Sequence, residues 1–225
     1  MSLIEFPDVI QGSDEWLDQR RGIVTASVVG QLITPKTKKL ADNDTSRGIT
    51  AQLVAERITG YTDPTYIGDD MLRGIEDEPR ARDLYAEVYE RPVREVGFML
   101  RQEETWQLGY SPDGLVDPDG LIEVKSRRSK FQLRTILTGE VPAEFMAQCQ
   151  AGLLVTGRKW LDFISFSGGM PMWHKRLFPD PEWQEAIISA VKQFETTAAA
   201  MVAEYETKTE GLPATKRIPY MELKI

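Results

Sequence analysis

Apolar residues recur three and four positions apart in several stretches of the 225-residue chain. That spacing places them on one face of an α-helix, where a neighbouring element can bury them. We predict helices over residues 13–19, 25–33, 46–59, 76–89, 142–157 and 181–206. Pro79 lies near the start of the fourth helix, and proline is tolerated best in a first turn. The predicted helices therefore cover 86 of the 225 residues.

Shorter apolar stretches bounded by turn-forming residues predict β-strands. We expect strands over residues 93–99, 105–110, 121–124, 160–165 and 172–177. Two sequences between the second and third strands, Ser111-Pro112-Asp113-Gly114 and Asp117-Pro118-Asp119-Gly120, are strong turn formers. The polar segment 36–44 is expected to be a mobile loop.

The order of these elements indicates the fold class. Helices come first, followed by three strands, a helix, two strands and a closing helix. This order predicts an α/β (α+β) fold in which helices flank a mixed central β-sheet. The chain is no longer than one domain can be, so we expect a single domain over residues 1–225.

Composition restricts the cellular compartment and the kinds of site that the chain can form. Cys149 is the only cysteine, which excludes an internal disulfide and any site built from cysteines alone. The N-terminus does not combine a basic start with an apolar run, as a signal peptide does. No stretch approaches the roughly 20 apolar residues that cross a bilayer. We therefore expect a soluble cytoplasmic protein with no membrane partner.

The formal net charge is −8, which taken alone argues against a nucleic-acid partner. The distribution of charge is more informative than the total. One run contains Lys125, Arg127, Arg128, Lys130 and Arg134 without an acidic residue between them. An acidic chain with one basic run suits an enzyme that binds DNA in one place.

The candidate chemistry lies in and after the Asp113 turn. Side chains alternate along a strand, so Glu123 and Lys125 share one face, about 6.6 Å apart along the strand. Neighbouring strands lie about 4.8 Å apart, so Asp113 can lie beside Glu123. Two clustered carboxylates repel each other unless a cation lies between them, and oxygen ligands suit Mg²⁺ or Mn²⁺. With a lysine nearby, the set is sufficient for phosphodiester hydrolysis.

The same residues have a simpler interpretation. Pro-Asp-Gly is a common turn, and a Glu-x-Lys strand is often a solvated face. From Asp113, Glu123 and Lys125 alone, both interpretations stay open.

Two further residues extend the pattern. Glu78 lies in a predicted helix before the strands, and Gln148 lies in the helix after them. A helix acid, the hairpin Asp113, the Glu123-x-Lys125 strand and a helix glutamine together resemble the PD-(D/E)xK restriction-endonuclease-like core. The segment from Trp16 to Ser27 is similar to the opening motif of the phage lambda exonuclease family of viral recombination nucleases. The resemblance spans about residues 14–156.

The resemblance implies a Mg²⁺-dependent 5′-to-3′ exonuclease that digests one strand of duplex DNA. Such enzymes release 5′-mononucleotides and leave 3′ single-stranded tails for phage recombination by strand annealing. By the resemblance, Asp113 would bridge two ions, Glu123 and the Val124 carbonyl would complete one site, and Glu78 would hold the other.

The resemblance also implies roles for other residues. Lys125 would act on the attacking water, and Gln148 would help to orient it. Arg20, Ser27 and Ser111 match the family's pocket for the 5′-phosphate.

Other implications are less local. A further basic residue of the family falls near Lys130, across an alignment gap, and its duplex wedge falls near Met71 or Leu72. The family forms ring-shaped homotrimers that thread DNA and act with a single-strand annealing protein. The resemblance implies a phage or prophage gene expressed in the cytoplasm of a bacterial host.

The sequence departs from the family at Phe145, where relatives have a tyrosine, and in the more basic residues after Lys125. Two alternatives stay open. One is an endonuclease of the same fold, and the other is a non-catalytic DNA-binding phage protein.

Overall fold

The computed structural model describes residues 2–64 and 66–217. Its elements, in chain order, are β1 (Ser2–Phe6), α1 (Asp14–Arg20), α2 (Ala26–Val29), a 3₁₀ turn (Gly30–Leu32), β2 (Ile33–Thr34), β3 (Lys39–Leu40), α3 (Asp44–Thr59), α4 (Asp69–Tyr89), β4 (Val93–Arg94), β5 (Phe98–Gln102), β6 (Gln107–Tyr110), β7 (Gly114–Val116), β8 (Gly120–Ser126), α5 (Ser129–Thr138), α6 (Ala143–Thr156), β9 (Trp160–Phe166), β10 (Trp173–Leu177) and α7 (Pro181–Thr209).

The central sheet has five strands in the order β10-β9-β8-β7-β4. β8 and β9 are parallel, and the other neighbouring pairs are antiparallel. A second, antiparallel sheet has the order β1-β5-β6. The predicted mixed sheet with flanking helices is confirmed, and β8 is its central strand.

Both faces of the central sheet are covered. On one face, Ala81 and Tyr85 of α4 pack against Ile122, Val124 and Ile164. On the other face, Leu121 belongs to a larger apolar cluster that includes residues of α2, α3, α6 and α7. A fully buried side chain of this size contributes about 1.5–3 kcal/mol. β8 is therefore held firmly on both sides, which fixes the direction of the polar residues it carries.

Several helix ends follow the local signals in the sequence. The Ser13 hydroxyl accepts the backbone N–H of Trp16 and caps α1. Gly60 and Gly157 end α3 and α6 in the left-handed conformation, which glycine adopts without a Cβ penalty. α3 begins two residues before the predicted start, because Asn43 and Ser46 cap it reciprocally.

The prediction for α4 was wrong at its start. The helix begins at Asp69 and passes through Pro79, which lies in its interior rather than its first turn. Asp69 and Asp70 favour a helix N-terminus electrostatically. Pro79 cannot donate a backbone hydrogen bond within the helix. Burial of Ala81 and Tyr85 on the sheet offsets that loss.

Other short elements also differ from the prediction. The stretch 25–33 is split between α2, the 3₁₀ turn and the first residue of β2. The segment expected to be a loop forms part of a small hairpin, in which Ile33 pairs with Leu40 and Thr34 with Lys39. β1, β7 and α5 were not predicted, because short or mostly polar elements carry little periodic signal. Among the described residues, no helix has the length and apolar character needed to cross a membrane.

Candidate active site

The site begins on β8, where Glu123 and Lys125 share a face as predicted. The Lys125 Nζ lies 2.8 Å from the Glu123 Oε1. Glu123 is fully buried, whereas about a quarter of the Lys125 side chain is exposed. The strand therefore ends with an ammonium at the protein surface and a carboxylate directly behind it.

Glu123 is engaged by neighbours on three sides. The Tyr110 hydroxyl donates to its Oε2 over 3.0 Å, and the Gln148 amide donates to Oε1. Together with Lys125, these donors provide a buried carboxylate with partners on both oxygens. α6 thus brings Gln148 to the strand, as the order of motifs predicted.

Asp113 lies in the turn before β7 and faces the same strand. Its Oδ2 accepts the backbone N–H of Val124 over 2.6 Å. Burial raises the pKa of Asp113 well above its usual range, and repulsion from Glu123 and Glu78 raises it further. The Glu123 carboxylate is therefore close enough to disfavour the charged form of Asp113, as the spacing predicted.

Glu78 of α4 completes the acidic group. Burial raises its pKa, the charge of Arg82 opposes that effect, and Glu123 adds repulsion. Arg82 contacts the Glu78 carboxylate at 3.4 Å, the Glu95 carboxylate at 3.1 Å and the Asp113 carbonyl at 2.6 Å. This arginine joins α4 to the Asp113 turn and fixes the relative position of the two acids.

The donor set is suited to a hard divalent cation. Glu78, Asp113 and Glu123 supply only oxygen, which is the ligand type of Mg²⁺ and Mn²⁺. In the described residues, no three acid, histidine or cysteine side chains converge as a finished metal cage. Burial, and then repulsion among the acids, raises the pKa values of Asp113 and Glu78, and a bound cation would offset both effects. The residues present therefore fit a divalent metal.

Lys125 stays protonated in this setting. Burial acts to lower its pKa, but the charges of Glu123 and Asp113 outweigh burial, so the pKa lies above its usual value. An ammonium cannot accept a proton. Lys125 can instead donate hydrogen bonds and stabilise negative charge that develops near it.

A second polar group lies beside the acids. The Arg20 guanidinium donates to the hydroxyls of Thr25 and Ser27, each over 3.3 Å, and these hydroxyls lie 3.0 Å apart. The Trp16 indole donates to the Ser111 hydroxyl over 2.8 Å, and its ring lies 4.0 Å from the Arg20 guanidinium carbon. Trp16 therefore links Ser111 to Arg20, which also contacts Ser27. The three residues Arg20, Ser27 and Ser111 form a group of potential donors, called the donor pocket below, that suits a phosphate.

The pocket and the acids share one stretch of backbone. Thr25 forms an isolated bridge with Gly109 at the end of β6, and Gly109 donates to the Val24 carbonyl over 3.0 Å. Ser111 and Asp113 follow within the next four residues. One chain segment thus sets the distance between the donor pocket and the carboxylates.

The basic residues that follow Lys125 differ in burial and in their partners. Arg127 is largely buried, between the rings of Phe131 and Phe145. Arg128 pairs with Asp70 of α4.

Lys130 is exposed in the first turn of α5, with its ammonium 4.9 Å from the Phe131 ring. Within the described residues, it makes no hydrogen bond or ion pair with Arg20, Ser27 or Ser111. Met71 and Leu72, the predicted wedge positions, lie near the start of α4 and are about half exposed.

Four residues of the site had no predicted role: Trp16, Thr25, Arg82 and Tyr110. Tyr110 reads in the sequence as an ordinary strand residue, because nothing local reveals that its hydroxyl meets Glu123. Trp16 and Thr25 lie within the segment from Trp16 to Ser27, so only their contacts were hidden, and Arg82 lies one helical turn after Glu78 on α4.

Known proteins resemble this chain over most of its length. The model of the YqaJ-like viral recombinase domain matches residues 15–159. A crystal structure of LHK-Exo, an alkaline exonuclease from Laribacter hongkongensis, is 31% identical with a TM-score of 0.79, covering 89% of this chain and 100% of that one. LHK-Exo in complex with dAMP is 32% identical with a TM-score of 0.78 over the same shares.

A phage-related exonuclease from Haemophilus somnus 129PT shares the fold at 13% identity. Its TM-score is 0.62, and the match covers 81% of this chain and 96% of that one. A comparison with curated protein sequences found no match.

Proposed function

The chain belongs to the YqaJ-like viral recombinase domain family, and from that premise we propose that it is a Mg²⁺-dependent 5′-to-3′ exonuclease acting on duplex DNA. A role as a deoxyribonuclease in recombination follows from the family and from the similarity to an alkaline exonuclease. The polarity, the metal and the products are the finer part of the proposal: 5′-mononucleotides and 3′ single-stranded tails.

One observation carries the proposal. Glu123, Lys125 and Asp113 meet at the end of β8, although Asp113 comes from a separate turn. A solvated strand face would not bury a carboxylate against a tyrosine and a glutamine. A structural ion pair would not need two further acids close by, because unpaired buried charge costs stability.

The acids are proposed to hold two divalent ions. Asp113 would lie between them, with Glu123 and the Val124 carbonyl on one and Glu78 on the other. When bound, Mg²⁺ would neutralise charge on the scissile phosphate and lower the pKa of the attacking water. Mn²⁺ has the same ligand preference and could replace it.

The protein's own groups supply the rest of the chemistry. Lys125, as an ammonium, stabilises the negative charge that develops in the transition state. Gln148 hydrogen-bonds Glu123, so it fixes that carboxylate and can orient the water beside it. Tyr110 holds the opposite oxygen of Glu123.

The donor pocket supports the choice of an exonuclease. Arg20, Ser27 and Ser111 are proposed to bind a terminal 5′-phosphate, since a guanidinium and two hydroxyls all donate. Lys130, which is exposed and lies five residues after Lys125, is proposed to contact the DNA backbone.

The wider assembly is also a proposal. A homotrimeric ring would hold the product strand topologically, and a single-strand annealing protein would take up the 3′ tail. Duplex DNA ends are the proposed substrate, and the cytoplasm of a bacterial host carrying the phage or prophage is the proposed location.

The test is a linear duplex labelled at either end and incubated with Mg²⁺ or with chelator. We expect mononucleotides from the 5′ end with Mg²⁺ and no cleavage with chelator. A covalently closed circular duplex separates the alternatives, because efficient cutting of it would favour an endonuclease. No cleavage of any DNA with either metal would favour a non-catalytic binding protein.

Arg20→Ala tests the pocket. We expect a larger loss of initiation on 5′-phosphorylated ends than on 5′-hydroxyl ends. Equal losses on both ends would remove the phosphate assignment without affecting that of the acids.

A further inference from the structure

The turn that separates Arg20 from its two hydroxyl partners is held by a neighbouring helix. Gly22 is buried in this turn with φ +65°, a conformation that residues with a Cβ rarely adopt. A Cβ at this position would also lie 2.5 Å from the Arg57 Cγ. Helix α3 therefore approaches the turn so closely that only glycine fits.

Two consecutive residues of α3 bind both backbone groups of Gly22. The Glu56 Oε2 accepts its N–H over 2.8 Å, and the Arg57 Nε donates to its carbonyl over 2.7 Å. Glu56 is buried, and its charge lies close enough to oppose the effect of burial on the pKa of Arg20. The backbone N–H and carbonyl of Gly22 are thus both fixed from one helix.

Glu56 and Arg57 together form a clamp on Gly22, and Arg57 is itself anchored to α7. Both Arg57 terminal nitrogens reach the Glu195 carboxylate of α7, over 2.7 and 2.9 Å. The guanidinium also lies 4.9 Å from the Phe194 ring. A bidentate pair with a stacked guanidinium restricts the direction of the arginine.

We propose that Glu56 and Arg57 are positioning residues that set the geometry of the donor pocket and so the preference for a 5′-phosphate. The inference rests on the proposed function of Arg20 and Ser27. Arg20 lies just before the clamped Gly22, and Thr25 and Ser27 lie just after it. The angle of the turn therefore decides whether the guanidinium and the hydroxyls point at the same anion.

Substitutions at Glu56 separate geometry from charge. Glu56→Ala removes the acceptor for Gly22, whereas Glu56→Gln keeps an oxygen of the same reach and removes only the charge. We expect Glu56→Ala to raise KM for 5′-phosphorylated duplex about tenfold, the usual scale of a lost hydrogen bond near a charged group, with kcat and the KM for 5′-hydroxyl ends little changed. Glu56→Gln is expected to restore the low KM.

Arg57→Gln provides a second variant with a matched control. Arg101 resembles Arg57 in burial, donates to the Leu154 carbonyl over 2.7 Å and pairs with Glu103. Arg101→Gln should cost similar stability but leave the preference for 5′-phosphate unchanged, whereas Arg57→Gln should reduce it. Thermal melting of all the variants shows whether each is folded at the assay temperature.

Equilibrium binding separates this inference from the proposed function. Fluorescence anisotropy in chelator measures binding without cleavage. It gives the affinity for the 5′-phosphorylated duplex divided by the affinity for the 5′-hydroxyl duplex. A smaller ratio for Glu56→Ala and Arg57→Gln than for wild type supports the clamp, whatever the nuclease assay gives. An unchanged ratio in either folded variant, or the same loss in Arg101→Gln, overturns it.

Discussion

Two buried polar clusters lie on opposite faces of the central sheet. Ile122 and Asp162 are register partners on the parallel strands β8 and β9 and point to one face, while Glu123 points to the other. On the first face, Arg176 contacts both oxygens of Asp162 over 2.8 and 2.7 Å, and the Tyr85 hydroxyl donates to one of them over 2.7 Å.

The clusters have similar parts but differ in their balance of charge. Each contains a buried carboxylate, a tyrosine hydroxyl and a cation. Asp162 faces one arginine that matches it fully, whereas the acids Glu123, Asp113 and Glu78 face Lys125 and Arg82, and Arg82 also pairs with Glu95. A neutralised cluster is complete and stabilises the fold, and an excess of acid needs a further cation. Charge balance therefore distinguishes the structural cluster from the candidate active site.

The largest effect is expected from Lys125→Ala. Loss of a preorganised donor to developing charge should reduce cleavage about a thousandfold or more. DNA binding should change little, because the donor pocket around Arg20 is left intact. Single-turnover cleavage and anisotropy with the same duplex measure both quantities. Turnover close to that of wild type would refute the assigned role.

The opposite cluster should respond through stability instead. Arg176→Gln leaves Asp162 buried without its cation, which should cost about 3 kcal/mol of unfolding free energy. Denaturant titration measures this loss, and cleavage per folded molecule should stay at the wild-type level. A large loss of activity with normal stability would mean that the two clusters are not separate.

Removal of one acid from the Glu123 cluster should change stability less than Arg176→Gln does, and should increase it. A raised pKa means that folded Asp113 holds its proton more tightly than the unfolded chain does, so its ionisation at neutral pH costs stability. Asp113→Asn should therefore raise Tm in chelator by a few degrees.

The proposed metal site predicts that Mg²⁺ raises the Tm of the wild type, since a ligand stabilises the state that binds it, and that Asp113→Asn loses most of this increase. Asp162→Asn is the matched control, because it removes the charge that Arg176 needs and should lower Tm. If Asp113→Asn also lowers Tm in chelator, the acids are not in excess.

What the sequence could predict follows from local regularities. The alternation along a strand placed Glu123 and Lys125 on one face, and a helix between Pro142 and Gly157 placed Gln148 after the strands. Both are properties of short segments, which the sequence shows directly.

What it could not predict depends on contacts between distant segments. Arg82 bridges Glu78 and the Asp113 carbonyl, and Glu56 reaches Gly22 from another helix. Pro79 was misplaced for the same reason, since packing of α4 on the sheet outweighs the local preference of proline. Side-chain partners across the fold carry no periodic signal.

Tyr110→Phe gives the smallest expected effect and tests such a distant contact. The ring would stay in the core, so stability should change little, but the Glu123 Oε2 would lose its donor. With Glu123 as a proposed metal ligand, we expect cleavage to fall about tenfold, because a less restrained carboxylate would hold the ion less precisely. The Mg²⁺ concentration for half-maximal activity should rise with it.

Tyr85→Phe on the opposite face is the control, since it removes the corresponding hydroxyl from Asp162 and should leave the Mg²⁺ dependence unchanged. The same shift in both variants would mean that the hydroxyls act on the fold in general, and the contrast between the two faces would then rest on Lys125 alone.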